Sequence, residues 1–70
     1  MIANDWTEDE VGAWLATVSA ETAVYAAMFK ENNINGKRLL RLTDEKLKSM
    51  GVTSLGIRDD ILTELEELKK

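Results

Sequence analysis

The stretch Asn33-Ile34-Asn35-Gly36-Lys37-Arg38-Leu39-Leu40-Arg41-Leu42-Thr43-Asp44-Glu45-Lys46-Leu47-Lys48-Ser49-Met50-Gly51-Val52 decides how the chain must fold. It sets two short helical segments between two glycines, and Leu39, Leu40, Leu42 and Leu47 all need a core. A helix of one or two turns is marginal in water without tertiary packing. The longer elements on either side must therefore close around it. Within the stretch, Asn35-Gly36 starts a short helix through Leu40 or Arg41. No alternating strand pattern flanks that pair, so it reads as turn and cap rather than hairpin. Thr43 caps a second short helix from Asp44 to about Met50, with Asp44 and Glu45 suiting its positive end. Gly51 stops it in the position where a left-handed residue is favoured.

Downstream, Thr53 or Ser54 caps a last helix from Leu55 to about Leu68. Ile61, Leu62, Leu65 and Leu68 form its apolar stripe, and Ile57 extends the stripe by one turn. Gly56 lies in the first turn, where a better helix former is normally preferred. A glycine there suits close packing or the approach of another molecule.

Upstream, Met1–Asp5 reads as a lead-in to a domain over residues 6–70. Thr7-Glu8-Asp9-Glu10 is a capping box for a first helix running to about Thr17. Val11, Trp14, Leu15 and Val18 share one face of it, and Trp6 can fold onto that face. Ser19 caps a second helix, expected to run unbroken from about Ala20 to Glu31 with Val24, Tyr25, Met28 and Phe29 buried. Asn32-Asn33 ends it, since asparagine tolerates the left-handed conformation. The sum is an all-α, compact five-helix bundle with a long C-terminal helix and no strand.

Composition narrows the function. The 70 residues contain no Cys, no His and no Pro, which excludes thiolate zinc sites, cysteine nucleophiles and histidine general bases. The acidic first turn lacks the turn glycine and spaced oxygens of a calcium loop. Asp59 and Asp60 are neighbours about 100° apart on a helix and cannot converge on a substrate. The expectation is a non-enzyme with no cofactor, no metal and no small-molecule substrate. Nothing resembles a signal peptide or membrane span, so an intracellular, cytoplasmic setting is expected.

Charge is unevenly spread. The net charge is −4, yet residues 1–21 carry −5, residues 30–48 carry +3 and residues 58–70 carry −2. A basic middle can meet an acidic surface on another molecule.

The ordered pattern of Trp6, Val11, Trp14-Leu15, Tyr25, Phe29, Ile34-Asn35-Gly36, Leu39-Leu40, Leu42-Thr43, Leu47, Met50-Gly51-Val52, Leu55-Gly56-Ile57-Arg58, Ile61-Leu62, Leu65 and Leu68 resembles the sterile alpha motif (SAM) domain over about residues 6–68. The resemblance implies a protein-interaction module of a signalling or scaffolding protein, with another SAM domain, its own copy or a different protein, as partner. It implies head-to-tail association between two unlike surfaces. The mid-loop surface would include Lys37, Arg38, Arg41, Asp44, Glu45 and Lys48. The end-helix surface would include Leu55, Gly56, Ile57, Arg58 and Asp59, with Val52–Ser54 adjoining.

Two features depart from the family pattern. The mid-loop surface of polymerising members is often acidic, whereas here the middle sums to +3, and the position of Ile57 is often histidine or polar. A basic middle facing a basic Arg58 would repel and favour a partner with an acidic end. Asp59-Asp60 could instead meet the basic middle of another copy, and the residues alone leave both open. Ile57, four before Ile61, is either a cap on the core or an exposed anchor.

The rival reading is RNA-hairpin or other nucleic-acid binding through Lys37, Arg38, Arg41, Lys46 and Lys48. The acidic balance and the lack of interleaved aromatics weigh against it. The amphipathic last helix has an acidic polar face, the wrong sign for anionic lipid.

Overall fold

The elements follow from their caps. A computed structural model describes residues 3–70. After a 3-10 turn at Ala3–Asp5 come α1 (Glu8–Val18), α2 (Ala20–Ala23), α3 (Ala26–Glu31), α4 (Gly36–Leu39), α5 (Asp44–Met50) and α6 (Leu55–Leu68). No strand occurs among the described residues. The Thr7 hydroxyl accepts from the Glu10 amide at 3.2 Å, and the Thr7 amide donates to Glu10 Oε1 at 2.8 Å. Asn35 Oδ1 accepts from the Arg38 amide, Thr43 Oγ1 from Lys46 and Ser54 Oγ from Ile57. Of the two candidates for the last cap, Ser54 is the one used. Asn33 (φ 58°) and Gly51 (φ 113°) take the left-handed conformation that ends α3 and α5.

One expectation is corrected. Ala20–Glu31 is two helices, because the ladder tightens at Val24–Tyr25, where the Tyr25 amide donates to the Thr22 carbonyl at 3.0 Å. Both residues stay in the right-handed region (φ −67°, ψ −15° and φ −90°, ψ 0°), so the chain bends without reversing. The buried row is also rotated. Thr22 is fully buried, whereas Val24 is 74% exposed. The Thr22 hydroxyl donates to the Leu15 carbonyl and accepts from the Ser19 amide at 3.0 Å. A buried hydroxyl with its bonds made costs little, so threonine holds the inward place expected for valine.

The core is Val11, Leu15, Phe29, Ile34, Leu39, Leu42, Leu47, Val52, Ile61 and Leu65. Half of it comes from the stretch 33–52, and α1, α3 and α6 enclose it. Ala3–Asp5, the described part of the lead-in, also docks on the middle of the chain, and Met1 and Ile2 lie outside the described residues. The Gly36 amide donates to the Trp6 carbonyl at 2.9 Å, and a Cβ on Gly36 would stand 1.7 Å from the Ala3 carbonyl oxygen. Only glycine allows that approach. The radius of gyration is 10.6 Å, close to the ~11 Å expected for a folded chain of this length.

Candidate protein-interaction surfaces

The end-helix candidates separate by depth. Ser54 caps α6 and holds its first turn at the surface. There Leu55 is 71% exposed, and Gly56 and Asp59 are exposed with it. Ile57 is half-buried and packs against the core, so the core-capping reading describes most of its side chain. Arg58 is turned inward and is only 7% exposed. Its Nε donates to Asp44 Oδ1 at 2.8 Å and its Nη1 to the Val52 carbonyl at 2.9 Å.

That ion pair corrects the charge map. Arg58 and Asp44 were expected on separate surfaces, each showing its charge outward. The fold instead brings the first turns of α5 and α6 together. Val52, in the connection between them, supplies the carbonyl that accepts from Arg58 Nη1. The outward charges at the start of α6 are then Asp59 and Asp60, both exposed. The end of the molecule is apolar and acidic, not basic.

The central candidates remain on the surface. Lys37, Arg38, Arg41, Glu45 and Lys48 are all exposed. Arg38, Arg41 and Lys46 line one shallow groove with Ile34 and Leu42 at its floor. A neighbouring groove continues along α5 past Glu45, Lys46, Ser49 and Met50. The Arg38 guanidinium is oriented by the Asn33 carbonyl at 2.9 Å, and the Lys46 ammonium by the Arg41 carbonyl at 3.4 Å. Among the described residues no carboxylate lies within ion-pair distance of Lys37, Arg38, Arg41, Lys46 or Lys48. These cations are uncompensated and face solvent.

Sequence reasoning placed Lys46 only in the rival nucleic-acid patch and did not include Ile34 or Leu42 among the surface residues. The signal for Lys46 was its place in the basic middle. Ile34 and Leu42 gave none, because a leucine or isoleucine that is mostly core and partly groove floor reads simply as core.

Among the described residues, no group of carboxylates is spaced to hold a metal ion, and no helix is long and apolar enough to cross a membrane. The arrangement offers a basic groove with an apolar floor and an acidic end with an exposed leucine. Such complementary patches suit recognition of another protein.

The comparisons agree with that geometry. The family model described as SAM domain (Sterile alpha motif) matches residues 4–69. WD repeat, SAM and U-box domain-containing protein 1 of Danio rerio is 41% identical over 70 residues, covering 99% of this chain and 14% of its own length. The mitogen-activated protein kinase adapter protein MST50 of Pyricularia oryzae is 41% identical over 69 residues, again 99% of this chain and 14% of its own. The chain thus spans a small part of the length of these relatives. The sterile alpha motif domain of mouse bifunctional apoptosis regulator superposes with a TM-score of 0.90 at 30% identity, covering 100% of this chain and 79% of that one. SAM domains are in general protein–protein interaction modules and are typically non-catalytic. By its capped helices, its core and these matches, the chain belongs to the SAM (sterile alpha motif) domain family.

Proposed function

We propose that this chain binds another SAM domain head to tail, and that a second copy of the chain is a competent partner. The observation that carries the reading is the Arg58–Asp44 pair. It withdraws the one cation from the start of α6 and leaves Leu55 beside Asp59 and Asp60. Repulsion between a basic middle and a basic end, the objection to self-association, is thereby removed. The uncompensated Arg38, Arg41, Lys46 and Lys48 then face a partner end of opposite charge. Charge sets the encounter and orientation, and Leu55 supplies desolvated contact.

Two unlike surfaces on one molecule generate open chains of subunits unless the rotation closes a ring. A parent protein would use such a module as an assembly point in signalling. A relative named as a mitogen-activated protein kinase adapter supports that setting. A phosphate backbone could also meet these cations, but the groove residues include no aromatic side chain to stack a base.

Sedimentation velocity of the chain, from low to high concentration at two salt levels, tests the reading. The expected result is mass that grows with concentration and shrinks with added salt, because screening weakens surface charge pairing. A constant monomer at every concentration would overturn self-association and leave a different SAM domain as the partner.

A further inference from the structure

A groove that neither docking surface uses lies on α1. Glu10, Ala13, Trp14 and Thr17 share one face of the helix at i, i+3, i+4 and i+7, and Trp6 joins them from the preceding turn. The two indoles stand with ring centroids 6.5 Å apart and planes at 46°, an open angle and not a stack. Both pack against the core, yet both are only half-buried. Ala13, exposed, adds no more than a methyl group to the lining. Among the described residues neither indole N–H is hydrogen-bonded or buried without a partner. Each can therefore donate to a carbonyl that docks there.

Glu10 is the one charged residue of the lining. Its Oε1 accepts from the Thr7 amide at 2.8 Å, which holds the carboxylate in place. No cation lies within ion-pair distance of it among the described residues. The neighbouring cations are paired elsewhere: Lys30 meets Asp9 at 3.1 Å, Lys69 meets Glu66 at 3.4 Å and Lys70 meets Glu67 at 3.0 Å. Lys37, exposed on α4, does not line the groove. Two aromatic faces beside a held carboxylate complement a cation on an apolar stem, and a guanidinium can stack on an indole while pairing with the acid. The face from Glu10 to Thr17 is about 10 Å long, the reach of about three residues of extended chain.

We propose that this Trp6–Trp14 groove is a third docking surface, whose occupant is an extended segment of another protein led by an arginine. The arginine stem lies on the indoles and its guanidinium meets Glu10. The groove shares no residue with the basic groove or the α6 end, so the inference does not depend on the head-to-tail reading. A module built this way joins other SAM domains through one pair of surfaces and recruits a different protein through the third.

Trp6 and Trp14 are the only tryptophans of the chain, so their fluorescence reports occupancy directly. The probes are the blocked tripeptides Ala-Arg-Ala, Ala-Lys-Ala and Ala-Gln-Ala, titrated into the dilute chain, with helicity followed by circular dichroism. The expected result is a saturable change for Ala-Arg-Ala, a weaker one for Ala-Lys-Ala and none for Ala-Gln-Ala. Glu10→Gln keeps an oxygen for the Thr7 amide and is expected to weaken Ala-Arg-Ala binding roughly fivefold at unchanged helicity. Should that variant lose helicity, Ala13→Arg sets a cation of the chain's own at an exposed lining position. It is expected to abolish binding while staying folded. An equal response to all three peptides, or one that survives in folded Glu10→Gln and Ala13→Arg, would overturn the site. So would the absence of any saturable change. Emission that varies with the concentration of the peptide-free chain, but not in Ala13→Arg, would make a second copy the occupant and overturn the separate partner.

Discussion

At the scale of single residues, the Arg58–Asp44 pair does most to define this domain's surface. A guanidinium taken out of water must be matched by good geometry, or its desolvation dominates. Here it has a carboxylate at 2.8 Å and a backbone carbonyl at 2.9 Å. Asp44 also sits in the first turn of α5, where a negative charge meets the helix dipole. Asp44→Ala is expected to lower stability by about 1–2 kcal/mol in chemical denaturation. That is less than the ~3–5 kcal/mol for breaking a fully buried pair, because the Asp44 side chain is 51% exposed and water can partly replace it. The same variant frees the Arg58 charge beside Leu55 and is expected to weaken self-association beyond its effect on stability. Unchanged association would show that Arg58 does not set the charge of the end surface.

Among the elements, the short helices depend on contacts that their own sequences do not contain. α4 spans only Gly36–Leu39, too short to persist alone. It is held by its Asn35 cap and by the Gly36 amide bonded to the Trp6 carbonyl. Gly36→Ala places a methyl group on the Ala3 carbonyl, so the 3-10 turn and α4 must part. The expected loss is about 1–3 kcal/mol, as for other overpacked sites, read as a lowered thermal midpoint. A midpoint at or above that of the unaltered chain would mean that the turn does not rest on α4.

For the whole molecule, the two faces make a polarity. Residues 30–48 are basic, and the two ends of the chain are acidic. Arg41→Glu alters only the basic groove and Leu55→Glu only the acidic end. Each variant alone is expected to remain monomeric, since its one intact surface has no intact counterpart. Mixed, the two are expected to form a one-to-one complex that grows no further, read by sedimentation or light scattering. Failure of the mixture to associate, with both variants folded, would mean that the groove and the α6 end are not partners. This outcome separates head-to-tail pairing from a symmetric contact, in which each variant would disturb both halves at once.

The local rules were legible without the fold. The Thr7–Glu10 box, the caps at Ser19, Asn35, Thr43 and Ser54, and the left-handed stops at Asn33 and Gly51 are written within three or four residues of where they act. Apolar periodicity likewise placed Val11, Leu15, Ile61 and Leu65 in the core. The candidate surfaces were legible as composition, in a basic middle and an exposed helix start. What periodicity missed were contacts between distant residues. The Thr22 hydroxyl reaches Leu15 in the preceding helix, and that bond rotates the α2–α3 face and exposes Val24. Arg58 reaches Asp44 on another helix and takes the one cation out of the exposed start of α6. The sequence therefore determined where the helices begin and end, except at the break between α2 and α3, because those signals lie on adjacent turns. Only tertiary packing decided which polar side chains point inward, because their partners are brought close by the fold and not by the chain.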